Sequence, residues 1–365
     1  MGDFAPFVPS VASSLSLISR RPAFQAALHA WYRIHQRKLP WRNAPSLYKT
    51  VVSEFMLQQT QVVTVLPYFD RWLRELPNFV ALAAAPGSKV MKLWAGLGYY
   101  SRARNLHKLA QAWVAASVPP RTPAEWRELP GIGPYTAAAI TSISFDEPAA
   151  VVDGNVVRIL ARLTNEDRSF RDGTAAVKHF TPLADALIAG SDPGTHNQAM
   201  MELGATVCFR QNPQCLVCPV AGFCAARRTG EPAKLPRLKP KVIELKTVVR
   251  LWCMDRGRLL LCRAHAKAKR LAGLYELPEA GALGVEGDAS TLLATKRRAI
   301  TRFRITEEIH GVALTPAIRA LARKHPEMEW IRLARIGKIP LSGPHKRWIA
   351  ELATQSGSSA PRRSP

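Results

Sequence analysis

The chain has 365 residues, and its 51 Lys and Arg against 27 Asp and Glu give a formal net charge of +24 at pH 7. Hydrophobic residues make up 47% and charged residues 21%, a globular composition that excludes global disorder. The excess positive charge therefore lies on a folded surface, where it attracts polyanions, nucleic acid before anionic membrane. No stretch approaches the roughly 20 apolar residues of a membrane-spanning helix, so we expect no membrane partner.

Residues 22–227 carry a helical pattern, in which apolar residues recur every three or four positions and Pro or Gly interrupts repeatedly. The pattern predicts an all-α domain, with helices near residues 23–35, 46–60, 89–94, 102–116, 135–143 and 156–163. Six cysteines without a secretory signal pattern indicate a reducing compartment, so we expect a cytoplasmic protein without disulfides.

The pattern changes after the helical domain. Residues 228–241 place three prolines among Lys and Arg, which predicts an extended basic linker. Residues 248–254 and 259–262 have the composition of strands joined by a hairpin turn, and we expect a smaller α+β domain over residues 242–353. The Ser- and Pro-rich residues 354–365 are expected to be disordered.

Four of the six cysteines form a cluster, Cys208, Cys215, Cys218 and Cys224, separated by six, two and five residues. Four thiolates can hold a structural zinc ion or a 4Fe–4S cluster. One Cys-x-x-Cys pair with two outlying cysteines and no histidine departs from the usual zinc modules, which favours the iron–sulfur cluster without excluding zinc.

A glycine-bracketed turn, Gly131-Ile132-Gly133, directly precedes a predicted helix that begins with Pro134. Such a turn leaves backbone N–H groups facing outward beside the positive end of a helix, which is a site suited to a phosphodiester. The alternative is an ordinary connection between two helices. The high net charge favours the phosphate interpretation.

Two acids are candidates for chemistry, and neither decides the function alone. Glu54 flanks the apolar stripe of its predicted helix, where a partly apolar setting would raise its pKa toward that of a general acid. It could equally be a surface glutamate. Asp153 stands just before a predicted helix start and fits an N-cap. Two carboxyls in different environments would suit cleavage of a glycosidic bond.

Together these features resemble the endonuclease III superfamily, whose members carry a helix-hairpin-helix and a 4Fe–4S cluster with this cysteine spacing. Longer matches, extending from about residue 31 to residue 224, narrow the resemblance to the MutY-type adenine DNA glycosylases, which remove adenine mispaired with 8-oxoguanine or guanine. These matches are residues 39–42 (LPWR), 53–62 (SEFMLQQTQV), 96–106 (GLGYYSRARNL) and 153–158 (DGNVVR).

The resemblance implies a multidomain protein: an all-α helix-hairpin-helix glycosylase domain with a 4Fe–4S cluster loop, followed by a smaller α+β nudix-like domain. It implies that Glu54 protonates N7 of an adenine flipped out of the duplex, and that Asp153 stabilises the sugar cation. Asn155 and Tyr135 match residues that orient these groups. Lyase-competent relatives carry a lysine at position 135, so the tyrosine predicts a monofunctional glycosylase.

Further positions match DNA-contacting residues of the family. The resemblance assigns the adenine pocket to Trp41, Arg42, Leu57 and Gln198, the contacts beside the extruded base to Gln58, Gln59 and Tyr99, and the backbone-gripping hairpin to Gly131 and Gly133. It also assigns one 4Fe–4S cluster to the four cysteines. The expected partner is duplex DNA containing adenine opposite 8-oxoguanine or guanine, bound by a monomer that is associated with the nucleoid if the protein is bacterial.

Residues 271–278 resemble a segment of the nudix-like domain with which such enzymes inspect 8-oxoguanine. The nudix hydrolase box is absent from residues 281–300, so this domain should bind nucleotides without hydrolysing them. The sequence departs from the family where a Phe-Ser-His loop normally contacts 8-oxoguanine, since residues 303–310 contain no such loop and His310 is a weak substitute. The preference for 8-oxoguanine over guanine is therefore left open.

Three other functions compete with adenine removal. A thymine glycosylase of the same superfamily would act on G·T mispairs and would not need Glu54 as an acid. A non-catalytic iron–sulfur DNA-binding protein would bind DNA without releasing a base, but it would need none of Glu54, Asp153 and Tyr135. A bifunctional lyase would form a covalent adduct with DNA.

Overall fold

The structure is a computed structural model that describes residues 9–190, 192–240, 242–265, 273–285, 291–300 and 302–357. The chain divides into two compact units, Met1–Lys239 and Pro240–Pro365. The division falls inside the segment that the sequence predicts as a linker.

The first unit is built from short and medium-length helices. In its described residues these are α1 (Pro9–Ser19), α2 (Arg21–His35), α3 (Leu47–Leu57), α4 (Val62–Glu75), α5 (Phe79–Ala84), α6 (Gly87–Trp94), α7 (Ser101–Ala115), α8 (Pro123–Arg127), α9 (Pro134–Phe145), α10 (Gly154–Thr164), α11 (Gly173–Ile188), α12 (Pro193–Thr206) and α13 (Ala225–Thr229).

The helical unit begins earlier than the predicted residue 22. Helix α1 belongs to it, because Leu17 is buried in the same apolar cluster as Phe24 and Leu28 of α2. The unit is also not purely helical. Strand β1 (Ser169–Phe170) pairs in parallel with β2 (Arg237–Leu238).

Part of the predicted extended linker packs on the helical unit. Strand β2 comes from this segment, and the Lys239 N–H donates to the Phe170 carbonyl at 2.9 Å. Leu235 is buried, and its carbonyl accepts a hydrogen bond from the Arg162 guanidinium. The buried leucine and the strand pairing explain why the chain stays ordered here despite its prolines.

Two apolar cores hold the helical unit together. One gathers side chains from α1, α2, α10, α11 and α12, and the other gathers side chains from α3 to α9. Helices of both cores contribute to one cleft, which is described below. Because each wall of the cleft is anchored in its own core, the side chains that face the cleft are held by packing behind them.

The second unit is an α+β structure. Its described strands are β3 (Glu244–Asp255), β4 (Arg258–Arg263), β5 (Tyr275–Glu276), β6 (Leu292–Ile300), β7 (Phe303–Val312) and β8 (Met328–Arg332), and its helices are α14 (Pro316–Lys324) and α15 (Gly343–Gly357). The strand order is β5-β4-β3-β7-β6, with β8 paired to β4. Strands β3 and β4 are antiparallel neighbours, which confirms the predicted hairpin, whereas β3 and β7 are parallel.

Helix α15 runs past the predicted domain end at residue 353. Residues 358–365 of the predicted tail, residues 271 and 272 of the nudix-like segment and residues 286–290 lie outside the described residues. His310 lies in β7 and is 4% exposed, so it is a buried strand residue. None of the helices in the described parts of the chain is long and apolar enough to cross a membrane.

Candidate functional site

Helix α3 carries Glu54 into the interior. The helix is capped at its start by Ser46, whose hydroxyl accepts from the Lys49 N–H, and most of its residues are buried. Glu54 is 7% exposed, so the position that the sequence places beside the apolar stripe is covered by neighbouring elements. Burial, and secondarily the negative charge of Asp153, raises the pKa of Glu54 to about 7.

Asp153 is the N-cap of α10, as its sequence position predicts. Its Oδ1 accepts from the backbone N–H groups of Asn155 at 2.9 Å and Val156 at 2.8 Å. Its Oδ2 accepts from the Asn155 side-chain amide at 2.9 Å. These donors fix the orientation of the carboxylate. The cap and Asn155 therefore hold a fixed negative charge close enough to affect Glu54.

Tyr135 lies in the first turn of α9 and is a second group that interacts with Glu54. Burial, followed by the charges of Glu54 and Asp153, raises the pKa of Tyr135 well above its usual value. Its hydroxyl donates to Sδ of Met201 at 3.2 Å. A hydrogen-bonding contact with Glu54 slightly offsets the rise in that residue's pKa. Tyr135 thus stays a neutral donor beside the acid.

Glu54 and Tyr135 line a cleft of about 300 Å³, a volume that suits a small planar group. The same cleft is lined by four other residues that the sequence predicts to bind adenine, Trp41, Arg42, Leu57 and Gln198. The Trp41 ring meets Phe69 edge-on with ring centroids 5.2 Å apart, so one edge of the indole is held by the core. The Gln198 amide oxygen accepts from the Tyr32 hydroxyl at 3.1 Å.

A buried carboxylate in the wall of this cleft was missed from the sequence. Glu202 is fully buried and accepts from Arg37 Nε at 2.7 Å and Arg42 Nη2 at 2.9 Å. Burial alone would raise the pKa of Glu202, but the arginines outweigh it and the pKa is lowered. The ion pair between Glu202 and Arg42 fixes the Arg42 guanidinium at the cleft. Its only sequence signal is that Gln198 and Glu202 are four residues apart on one helix.

Asp153 and Asn155 are not among the residues that line the cleft, and Gln58, Gln59 and Tyr99 lie outside it on two loops. Gln59 follows the end of α3 and has a φ of +55°, and Tyr99 precedes α7 with a φ of +45°. Both side chains are exposed, Tyr99 by 58%. The Gln58 amide donates to the Thr136 hydroxyl at 3.4 Å, which connects the loop after α3 to α9. These residues lie beside the cleft and do not line it. The two exposed ones, Gln59 and Tyr99, are called the edge below.

The glycine-bracketed turn connects α8 to α9. Gly131 has a φ of +82°, and a Cβ there would lie 2.7 Å from the Asn105 Cβ and 3.0 Å from the Phe55 ring. Glycine is therefore required by both conformation and space. Ile132 is buried in the core, and Gly133 is the N-cap of α9, where a Cβ would meet nothing within 4 Å. Gly131 is exposed and Gly133 is half-buried, whereas the Ile132 N–H donates to the Leu129 carbonyl at 3.3 Å.

The four clustered cysteines line one small pocket. Burial, with smaller contributions from the other three thiols, raises the pKa of Cys218 to about 11. The buried Arg162 donates through Nη1 to Sγ of Cys208 at 3.1 Å and supplies a positive charge. Within the described residues, no group of three or more His, Cys, Asp or Glu side chains is arranged to hold a metal ion.

Arg158 links the Asp153 cap to the cysteine loop. Its Nη2 donates to the Asn155 amide oxygen at 3.0 Å, and its Nε donates to the Cys208 carbonyl at 2.8 Å. A Cβ at Gly204 would lie 2.6 Å from the Asn155 Cβ, so α12 also closes on Asn155. Asn155 is therefore held from two sides.

The chain is similar to known DNA repair proteins. A family model described as HhH-GPD superfamily base excision DNA repair protein matches residues 52–178. An adenine DNA glycosylase from Mus musculus is 43% identical over 227 residues, which cover 59% of this chain and 44% of the relative. One from Mycolicibacterium smegmatis is 38% identical over 209 residues, which cover 56% of this chain and 70% of the relative.

Among solved structures, a thermostable thymine-DNA glycosylase is similar with a TM-score of 0.51 and 25% identity, over 58% of this chain and 98% of that chain. It shares the fold of the helical unit. The matched region spans less than half of the Mus musculus relative but more than two thirds of the mycobacterial one. The chain therefore belongs to the HhH-GPD superfamily of base excision DNA repair proteins and, within it, to the family of adenine DNA glycosylases.

Proposed function

We propose that the chain hydrolyses the N-glycosidic bond of adenine mispaired with 8-oxoguanine or guanine in duplex DNA. The observation that carries this proposal is the buried Glu54 on the wall of the cleft, whose pKa of about 7 leaves a large protonated fraction at neutral pH. A general acid works best when its pKa lies near the working pH. Relatives of the same family are named adenine DNA glycosylases.

The two acids would take different roles because their surroundings differ. Glu54, in a desolvated setting, donates its proton to N7 of the flipped adenine, so that the base leaves as a neutral molecule when the C1′–N9 bond breaks. Asp153, fixed by three hydrogen bonds, presents a carboxylate to the oxocarbenium-like sugar. Water then adds its hydroxyl to C1′, and the proton it loses restores the protonated Glu54 carboxyl.

Tyr135 supports a monofunctional reaction. A lyase needs an amine that forms a Schiff base with the opened sugar, and the neutral phenol of Tyr135 cannot form one. The phenol can still hold the Glu54 carboxyl in place. The product would therefore be an abasic site in an intact strand.

Extrusion of the base would use the edge residues and the hairpin. Tyr99 and Gln59 are exposed at the side of the cleft, where they can occupy the space that the adenine leaves. The N–H groups of Gly131 and Gly133 can bind a phosphate at the start of α9, since only the Ile132 N–H of this turn donates to Leu129. The basic surface adds a sequence-independent attraction that weakens with salt.

We propose one 4Fe–4S cluster, held by Cys208, Cys215, Cys218 and Cys224. The chemistry of the donor set fits, since four thiols surround one pocket with the Arg162 cation beside them. A zinc ion needs all four sulfurs within about 2.3 Å of one point, whereas a cubane spreads them over four irons. The role of the 4Fe–4S cluster would be to hold the loop formed by residues 208–224.

We further propose that the second unit is a nudix-like reader of the base opposite adenine, in a monomeric protein. Support comes from its mixed sheet with two helices and from the sequence of residues 273–278, which contains strand β5. We assign no nucleotide-hydrolase activity to this second unit. Size-exclusion chromatography with light scattering tests whether the protein is a monomer. A variant that lacks residues 240–365 should lose its preference for A opposite 8-oxoguanine to a greater extent than it loses activity on A opposite G.

The central experiment incubates the purified protein with three duplexes, carrying A opposite 8-oxoguanine, A opposite G, and T opposite G. Alkali then cleaves abasic sites. We expect product from both adenine duplexes and none with Glu54→Gln. Product from the T·G duplex alone would show a thymine glycosylase instead, and tight binding without base release would show a non-catalytic protein. Borohydride trapping of a covalent adduct would reveal a lyase.

A further inference from the structure

Arg102 is a buried arginine to which neither the sequence motifs nor the proposed reaction gives a role. It lies in the first turn of α7 and is 6% exposed. Its guanidinium donates to Phe55 O at 3.1 Å and Met56 O at 2.8 Å. It also donates to four further acceptors among the described residues, Gln58 O at 2.5 Å, Thr60 Oγ1 at 3.1 Å, Leu97 O at 3.1 Å and Gly98 O at 3.3 Å.

The position of this cation is unfavourable for its own helix. A positive charge in the first turn opposes the helix dipole of α7, and burial of the guanidinium carries a desolvation cost. The charge instead meets the carbonyl end of α3, where Phe55 and Met56 leave carbonyls without intrahelical partners. Arg102 therefore acts mainly on the loops around it and not on the helix that carries it.

Four of the six acceptors belong to two loops, and each loop presents one residue of the edge. Gln58 and Thr60 flank Gln59, and Leu97 and Gly98 precede Tyr99. Gln59 and Tyr99 both have left-handed backbone conformations, which non-glycine residues adopt only when neighbouring contacts enforce them. The Arg102 guanidinium also lies 5.3 Å from the centroid of the Tyr99 ring. One side chain thus ties together both loops that carry the exposed edge.

We propose that Arg102 is the positioning residue that shapes the Gln59–Tyr99 edge for entry into the duplex, and so controls extrusion of the base, not cleavage of its bond. The inference rests on the proposed function for the identity of the base. It deepens that function by assigning the extrusion step to a residue that touches neither the base nor the sugar.

Lysine cannot replace the arginine in this role. The two terminal nitrogens of a guanidinium carry four N–H groups in one plane, and those of Arg102 reach acceptors on both loops at once, whereas an ammonium has three donors at one point. Arg102→Lys keeps the positive charge and removes the bridge. Since a hydrogen bond from a charged group is a strong contribution, we expect the extrusion equilibrium to fall by about tenfold to hundredfold.

The test uses a probe that reports extrusion without cleavage. The duplex carries A opposite 8-oxoguanine, with 2-aminopurine next to the adenine and 2′-fluorine on the adenosine sugar to block bond breaking. The 2-aminopurine fluorescence rises when the neighbouring base leaves the stack. We expect a strong rise with the wild type and little with Arg102→Lys, at protein concentrations that saturate the duplex for both.

A double-mutant cycle asks whether Arg102 acts through the edge. Tyr99→Ala should lower extrusion by itself, and adding Arg102→Lys should lower it little further if both act on the same step. Arg71→Lys is the matched control, because Arg71 is exposed and donates to the Leu93 carbonyl at the end of α6. It should extrude the base like the wild type. If the effects of Tyr99→Ala and Arg102→Lys on extrusion are additive, the proposal is wrong.

A second readout separates positioning from a general loss of structure. Cleavage by Arg102→Lys on the unblocked duplex should be slower, but its pH profile should keep the same inflection, because Glu54 is not touched. A changed inflection, or wild-type extrusion with lost cleavage, would refute the assignment. If Arg102→Lys does not fold, Thr60→Val removes one acceptor of the bridge and should reduce extrusion by about threefold. Unchanged extrusion in that variant would refute it as well.

Failure of the proposed function remains distinguishable from failure of this inference. If the wild type extrudes adenine but never releases it from an unblocked duplex, the proposed glycosylase activity is wrong. The role of Arg102 is then still decided by the 2-aminopurine fluorescence of the wild type and of Arg102→Lys. A wild type that releases adenine, with Arg102→Lys extruding it normally, would contradict the inference alone.

Discussion

Replacing Glu54 by Gln should slow base release by about 10²- to 10⁴-fold and, at the same time, make the protein more stable than the wild type above neutral pH. The carboxyl is buried, and its pKa rises from 4.5 to about 7. Between these values the folded state keeps a proton that the unfolded state has released, so rising pH destabilises the fold. Above about pH 7 the folded carboxyl ionises as well, and the penalty levels off.

The magnitude follows from the two pKa values. A difference of one in pKa corresponds to about 1.4 kcal/mol, so the penalty approaches about 3 kcal/mol at pH 8. At pH 5, about half a unit above its unfolded pKa of 4.5, the unfolded carboxyl is about three-quarters ionised, and the penalty is below about 1 kcal/mol. Glutamine carries no titrating proton. The stability gained from Glu54→Gln should therefore be larger at pH 8 than at pH 5 by about 2.5 kcal/mol.

Urea unfolding at the two pH values measures this gain, with Glu128→Gln as the matched control on an exposed carboxyl. The control should change stability equally at both pH values. In parallel, the single-turnover rate of the wild type should fall about tenfold per pH unit above about 7, as the acid loses its proton. Glu54→Gln should lower that rate by about 10²- to 10⁴-fold. An equal stability change at both pH values would refute the assigned protonation.

Three further changes test other parts of the site. Gly131→Ala places a Cβ 2.7 Å from Asn105 in a left-handed conformation, and we expect duplex affinity to fall about tenfold in a filter-binding assay, whereas unchanged affinity would exclude the hairpin as a phosphate site. Cys215→Ser should remove iron and visible absorbance from the purified protein, and a colourless, zinc-containing wild type would contradict the cluster. Tyr135→Lys places an amine beside the sugar and should yield a borohydride-trapped adduct with DNA, which the wild type should not.

Much of the fold could be predicted from the sequence because local periodicity determines helices. The predicted helices near 46–60 and 156–163 correspond to α3 and α10, and Asp153 caps α10 as its position before the helix indicates. The strand hairpin at 255–258 is likewise a local feature, with Arg256 and Gly257 in left-handed conformations. The short β1–β2 pairing escaped prediction, because two-residue strands far apart in sequence leave no periodic signal.

The candidate site was predicted only in part. The motif residues Glu54, Tyr135 and Gln198 come together in one cleft, as the resemblance implies. Glu202 and Arg37 were missed, although they form a buried ion pair at 2.7 Å. The two residues are 165 positions apart, so nothing local in the sequence indicates that they meet.

The sequence by itself determined the residue types and spacings that the chemistry needs: two acids, a hairpin with two glycines and four thiols. Only the tertiary structure decided the states of these groups. The pKa of Glu54 depends on how completely other helices exclude water from it and on the nearby charge of Asp153. The role of Arg102 likewise depends on acceptors more than 40 residues away in sequence. Desolvation and long-range hydrogen bonds are properties of packing, which no local pattern encodes.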